Sequence, residues 1–421
     1  MSSNRRLGKI GIVGSGIAGL AATWYLGDQF DVTLYEKHAS IGMDAFSTDF
    51  RIGDQSFRID LPYRVVKGDF YLTLMQLYKE AKIPLRRIDY AFTMSKEDGE
   101  TYFGYKNLSI FGKYVSTLKM VSLANSYNRK MTFEMLRFYR HGLRQNPGRL
   151  TMDEFLDQHK FSNEFRDKFL YPIYATINTC SYKSAGSYPA ASYIEYHTSG
   201  TGVAGVYHTS HGTIDVAQKL SAKAQKIRYS EPAVKVVPTA KGAKVITDKS
   251  EIEYDHVVIA SQANQAAKFL DAENLAEKKA LEKIRYEPSV IYTHTDKRYM
   301  PRDRKHWEPA SFIVSEKFDK PAGSLWLNAL EPKLADAPDL FQSWNPLFET
   351  EESNIVNTAR FERPVMNFDA VSAIEDLKTL HARANRKIWL CGSYMRAGVP
   401  LLEAGVVSAK DIARRIQSIS F

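Results

Sequence analysis

Gly14-Ser15-Gly16-Ile17-Ala18-Gly19 follows the apolar run Lys9 to Val13, and a carboxylate, Glu36, stands 17 residues after Gly19. Glycines at these intervals suit a phosphate. Gly14 permits a tight turn, Gly16 lets the backbone approach a pyrophosphate, and Gly19 lets the following helix pack close to the strand. The backbone N–H groups of Ser15, Ile17 and Ala18 and the positive end of the helix dipole then face the anion. The stretch "DVTLYEK" reads as a second strand ending at Glu36 and Lys37. An acid in that place accepts hydrogen bonds from ribose hydroxyls and repels a 2′-phosphate, so FAD or NAD fits better than NADP.

The elements that must position this cradle are spread along the chain. "RKIWLCGSYMRAGVPLLEAGVVSAKDIARRI" (386–416) predicts a strand at Ile388–Cys391, a glycine turn, a loop, and a helix from about Leu402. Residues 228–262 alternate apolar and polar side chains in three short runs before the buried run "HVVIAS". That pattern suits a β-meander rejoining a parallel sheet, with Pro232–Val234 passing an adenine. Residues 57–89 predict a strand to Asp60-Leu61-Pro62, a loop carrying Tyr63 and Arg64, and an amphipathic helix burying Phe70, Leu74, Leu77 and Tyr78.

Composition bounds the rest. The chain has 421 residues, 44% of them hydrophobic and 25% charged, which suits a folded protein of two or three domains. Two cysteines, Cys180 and Cys391, give no disulfide framework, and a reducing, cytoplasmic setting is the default. Glycines break the first apolar run, so it reads as strand and turn rather than a leader, and no run is long enough to span a bilayer. No His, Cys or acidic cluster has metal-ligand spacing, and GxSxG and HExxH are absent.

The net charge of +9 is uneven. Residues 101–150 carry Lys106, Lys113, Lys119, Arg129, Lys130, Arg137, Arg140, Arg144 and Arg149 against one acid, Glu134. Aromatic and aliphatic residues interleave with these cations at helical spacing. Three readings stay open: a solvated basic face, contact with an anionic membrane or lipid carboxylate through residues 106–149, and nucleic acid, for which no motif is present. Residues 169–213, rich in Tyr, Ser, Thr, Gly and Ala, suit the walls of an apolar cavity or ordinary packing.

The three nucleotide segments together resemble the FAD-dependent amine-oxidase-like superfamily, in its branch of predicted NAD/FAD-binding oxidoreductases. His294-Thr295-Asp296 followed by Met300-Pro301, and Trp389, Cys391 and Gly392, match short stretches of that branch. The resemblance implies a doubly wound, Rossmann-type α/β domain binding FAD, an α+β substrate domain, and a helical insertion. The FAD-binding domain would comprise residues 1–60, 206–275 and 379–421, the substrate domain 61–105 and 276–378, and the insertion 106–205. It also implies FAD contacts at Gly42, Val234, Gly392, Ser393, Leu401 and Leu402, with the last helix aimed at the flavin.

Two departures qualify the chemistry. Met43 and Asp44 stand where relatives carry a second glycine and an arginine that contacts the pyrophosphate. Tyr292 matches the position of a lysine that superfamily amine oxidases place near flavin N5. His294 and Asp296, two apart on one strand, would share a face and are candidates to move a proton. Arg64 is a candidate anchor for a substrate carboxylate or for anionic flavin. The leading expectation is hydride transfer between flavin N5 and a carbon of an apolar substrate, such as fatty-acyl desaturation, reduction or double-bond isomerisation. The alternatives are an amine oxidase releasing imine and peroxide, and a flavin- or NAD-binding protein without turnover.

Overall fold

Lys9–Val13 is apolar at successive positions, and in the computed structural model it lies at the centre of a five-stranded parallel sheet. The structure describes residues 6–110, 113–118, 126–144, 146–199, 205–315, 317 and 319–419. From one edge the sheet runs Lys226–Arg228, Asp31–Tyr35, Lys9–Val13, His256–Ile259, Ile388–Leu390, so three distant parts of the chain build it. Helix Ile17–Leu26 packs against helix Leu402–Ile419 over a core of Ile10, Ile12, Leu20, Val258, Trp389 and Val406. The two helices meet closely: a Cβ on Gly405 would lie 3.1 Å from the Ile17 side chain. The meander is present as Ala233–Pro238, Ala243–Thr247 and Glu251–Tyr254.

A second, eight-stranded mixed sheet runs, in spatial order, Ile355–Pro364, Tyr286–His294, Phe341–Trp344, Ala322–Trp326, Ala310–Val314, Phe92–Lys96, Thr101–Ile110, Lys113–Leu118. Its last two strands differ from the expectation that a helical segment begins at 106. The alternation in "TYFGYKNLSI" is that of a strand, and its aromatic residues pack on the sheet. Helices follow from Ser126–Arg144 to Ala190–Thr198 and form a layer against one face of this sheet. Of the basic segment, Lys119 lies outside the described residues, and so does the side chain of Lys113. Helix Leu72–Glu80 buries Leu74, Leu77 and Tyr78 as its periodicity predicts. Among the described residues no helix is long and apolar enough to cross a membrane.

Both cysteines are buried and free, and burial pushes the Cys391 thiol up to about 12, so neither is a nucleophile. Two buried histidines matter more for stability. Burial pulls His256 and His294 each down to about 4. An unfolded histidine takes up its proton near 6.5, so below that pH the unfolded chain binds more protons than the folded one. Their contribution is complete above pH about 6.5 and is lost as pH falls toward 4. Each ring adds a slope of up to about 1.4 kcal/mol per pH unit over that window. Melting temperature measured from pH 7 to 4.5 should fall, and less steeply in His294→Gln; equal slopes would contradict this.

Candidate functional site

The three cradle glycines meet three different constraints. Gly14 has φ +102°, and a Cβ there would sit 2.9 Å from the Ala260 carbonyl oxygen. A Cβ on Gly19 would lie 1.8 Å from the Gly14 carbonyl oxygen, inside contact distance. A Cβ on Gly16 would meet nothing within 4 Å, so this glycine opens on space rather than on protein. Gly16 is also the N-cap of helix Ile17–Leu26, which has no side-chain cap and no acid in its first turn. Uncapped N–H groups opening on free space are what a pyrophosphate requires.

Glu36 is buried and well held. Its Oε2 accepts from the Ser15 amide at 3.2 Å and from the Ser15 hydroxyl, and its Oε1 accepts from the His38 amide at 2.9 Å. Each carboxylate oxygen accepts about two hydrogen bonds, so Oε1 keeps one position for a ribose hydroxyl. Ser15 Oγ accepts in turn from the Gly42 amide at 2.7 Å, tying loop 41–47 to the cradle. Lys37 is exposed beside Glu36. The amides of Ser230 and Glu231 donate to the carbonyls of His38 and Glu36, which brings the start of the meander alongside. There the register slips between Ala233 and Lys235, so Val234 falls out of the ladder with its side chain 58% exposed. An unpaired backbone and an exposed apolar side chain beside the ribose acid suit an adenine edge. At the far end of the chain, Gly392 donates to Ser408 Oγ at 3.2 Å, and Ser393 opens the turn before Leu401 and Leu402.

Asp44 brings no cation to the pyrophosphate. It is buried, pairs with Arg58 Nη2 at 2.5 Å, and accepts from Thr213 Oγ1 at 2.9 Å. Thr213 also donates its amide to Asp60 at 2.9 Å, linking loop 41–47 to the loop that carries Arg64. His208 braces that loop from below. Its ring stacks on Tyr63 at 4.0 Å, and Nδ1 donates to the Arg64 carbonyl at 2.7 Å. Burial lowers the His208 pKa, while the carboxylates of Glu331 and Asp60, 3.3 and 3.7 Å from Nε2, act in the opposite direction.

The face that the large sheet turns toward these loops is set by register. Gln342 Oε1 accepts from the Tyr63 amide at 2.5 Å, and its Nε2 donates to the Asp60 carbonyl at 2.9 Å. Gln342 is paired with Thr293, and Leu61 packs on Ile291. Asn357, also in register with Thr293, donates to the Phe46 carbonyl at 2.9 Å. Thr293, Ile291, Phe361 and Arg363 therefore look inward, toward the cradle side and the helices.

Tyr292, His294 and Asp296 lie elsewhere in the fold. Tyr292 is in register with Ser343 and points to the opposite, outer face. His294 shares that outer face: Nε2 bonds Ser343 Oγ at 2.7 Å, and its ring lies 4.7 Å from Tyr299. The strand ends at His294, so Asp296 is not on it. Asp296 caps the next turn and pairs with Arg298 at 2.6 Å, while His294 Nδ1 accepts from the Asp296 amide rather than facing its carboxylate. Tyr292→Phe should leave kcat and KM within about twofold of the parent, since a half-buried hydroxyl on the opposite face of the sheet does not reach the proposed site. A loss above about tenfold would return Tyr292 to the site.

Arg64 does face inward, and the structure adds a residue that the sequence reading missed. Arg363 donates to the Ile177 carbonyl at 3.2 Å and Arg64 to the Pro62 carbonyl at 3.4 Å, and Arg64 feels the charges of Asp60, Arg363 and Asp44. Burial lowers both guanidinium groups from their ordinary range. Around Arg363 are Tyr71, Tyr188 and Tyr196, whose hydroxyls burial pushes upward, so they stay protonated and can donate. The signal in the sequence was an arginine in phase with Ala359 and Phe361, a charge on the apolar side of an alternating strand.

With this geometry in hand, comparison places the fold. Residues 12–81 match a family described as NAD(P)-binding Rossmann-like domain. A CLA-producing fatty acid isomerase from P. acnes superposes with a TM-score of 0.69 at 15% identity, covering 99% of each chain. A putrescine oxidase redesigned in its cofactor binding gives 0.66 at 14% identity, over 98% of this chain and 99% of that one. Cyclohexylamine oxidase from Brevibacterium oxydans IH-35A gives 0.63 at 13%, over 97% and 99%. No curated protein matches the sequence. The chain shares the fold of these three proteins over nearly its whole length.

Proposed function

We propose that the chain is an FAD-dependent oxidoreductase exchanging hydride with a carbon of a largely apolar substrate, an unsaturated fatty-acyl chain being the favoured case. FAD would be held by Gly14, Ser15, Gly16, Ile17, Ala18, Gly19, Glu36, Lys37, Gly42, Val234, Gly392, Ser393, Leu401 and Leu402. Bound there, the flavin would supply hydride exchange at N5, the step no side chain performs. The protein's own part is to position the substrate carbon and exclude water. The division into residues 1–60, 206–275 and 379–421 around the cofactor, with the other segments around the substrate, belongs to the same reading.

One observation carries the choice of substrate. The inward side of strand Tyr286–His294 presents Ile291 and Thr293, with Trp344 and Phe361 beside them, and its one carboxylate, Glu287, is held by Ser181 and Ser184. Such a wall suits an apolar chain and gives no base for deprotonating an amine. A lipid substrate would be met at a membrane surface, and the basic segment is suited to that contact. Helix Ser126–Arg144 exposes Phe133, Leu136 and Leu143 alongside Arg129, Lys130, Arg140 and Arg144, while Glu134 is buried. Among solvated face, membrane and nucleic acid, this exposed apolar stripe favours the membrane.

The purified holoprotein should be mixed anaerobically with an unsaturated fatty acid and, separately, with an alkylamine. Flavin bleaching or a shifted double bond with the acid supports the reading. Peroxide release with the amine alone would replace it by the amine oxidase, and no response to either would leave a binding protein.

A further inference from the structure

We propose that helix Ser126–Arg144 docks the protein on an anionic phospholipid leaflet. Phe133, Leu136 and Leu143 enter the boundary between head groups and acyl chains, and Arg140 and Arg144 meet lipid phosphates. The inference rests on the reading above, in which a lipid substrate is met at a membrane, and it names the head group and the side chains that select it.

One side of the helix is fixed to the protein. Met131 and Phe138 are buried in the core, and Glu134 accepts from the Ser162 amide at 3.0 Å. Arg137 lies over the Phe161 ring at 4.6 Å and donates to the His159 carbonyl at 2.7 Å. Gly142 fits against helix Ala190–Thr198, where a Cβ on it would lie 2.8 Å from the Ile194 side chain. The opposite side faces solvent. Phe133, Leu136 and Leu143 are 63, 59 and 72% exposed, so most of each side chain is in water. At 3.6 residues per turn they fall within about 80° of one another. Among the described residues, other large apolar side chains in water stand one to an element, as Leu72, Val234 and Leu275 do.

The charges on this side have one sign. Arg129 and Arg140 fall inside the same arc, Arg144 stands at its edge, and the helix exposes no acid. Lys130, farther round, pairs with Glu164, but among the described residues Arg140 and Arg144 have no ion partner. An apolar stripe with cations in it and beside it is complementary to a layer of phosphates over hydrocarbon. A second copy fits less well, because a two-fold contact would set these cations against themselves. Nucleic acid offers phosphates but no hydrocarbon for Leu136 and Leu143.

The test is sedimentation of the purified protein with vesicles of phosphatidylcholine alone and of phosphatidylcholine mixed with phosphatidylglycerol. The mixed vesicles should bind at least about tenfold tighter, and added salt should reduce that preference. Arg140→Gln combined with Arg144→Gln should lower the preference about tenfold. Leu136→Ser combined with Leu143→Ser should weaken binding to the mixed vesicles and abolish the part that survives high salt. All four side chains are exposed, so both variants should keep the parent's melting temperature. Absent binding, or equal binding to the two vesicles, would overturn the proposal, as would binding that neither pair of substitutions changes. So would a dimer that the serine variant disperses, or retention of a DNA duplex, with no vesicle binding in either case. Those results would assign the face to a second copy or to nucleic acid. Sedimentation reads neither flavin nor turnover. Loss of the anchor therefore leaves the substrate reading standing, and a missing flavin response to fatty acid leaves vesicle binding intact.

Discussion

Gly16→Ala should leave the fold intact and weaken binding of the proposed FAD. The site allows this separation because the three cradle glycines are held by different things. Gly16 has an ordinary extended backbone, φ −69°, and a Cβ there meets no protein atom within 4 Å. Alanine therefore adds neither strain nor a clash to the chain itself. The methyl group instead projects into the space where a pyrophosphate would lie against the helix N-terminus. Overpacking of a tight contact costs about 1–3 kcal/mol, which predicts FAD affinity lower by about 10- to 100-fold. Melting temperature without cofactor should match the parent within about 1 °C. Gly19→Ala makes the contrast: its Cβ would overlap the Gly14 carbonyl at 1.8 Å, so it should lose stability and cofactor together. Equal flavin retention in Gly16→Ala and the parent would remove the cradle from cofactor binding.

Gln342→Leu should be the most damaging single change on the substrate side. Gln342 is fully buried, and its amide satisfies the Tyr63 N–H and the Asp60 carbonyl at once. Leucine keeps much of the volume and leaves both backbone groups unpaired in the interior. An unsatisfied buried group costs about 1–3 kcal/mol, so a loss of about 2–4 kcal/mol is expected in urea denaturation. The loop between these two groups leads directly to Arg64, so binding of a carboxylate should weaken in the fraction that remains folded. A loss below about 1 kcal/mol would mean that the loop finds other partners, and that Gln342 does not set its position.

The cradle was legible in the sequence because its constraints are local. A turn at Gly14, a close approach at Gly19 and an acid ending the second strand are each encoded within 30 residues. The meander and the C-terminal strand and helix were legible for the same reason, through period-two and helical patterns. The register of the large sheet was not. Tyr292 and Thr293 are neighbours, and which of them faces the cavity depends on pairing with Phe341–Trp344 and Ile355–Pro364, far away in sequence. A strand read one residue out of phase turns every side chain to the other face. Arg363 was missed for a related reason: it becomes visible as a site residue only once its strand is paired and Glu287 is seen to be occupied elsewhere. The strands from Thr101 to Leu118 were hidden by basic residues whose spacing also suits a helix.

The most direct test of the account is the visible absorption spectrum of the purified chain, followed by heat release and identification of the cofactor. The account predicts flavin bands from the bound state and FAD in the supernatant. A colourless protein that takes up NAD but cannot be reconstituted with FAD would contradict it, and would return Glu36 and the glycine cradle to a nicotinamide nucleotide.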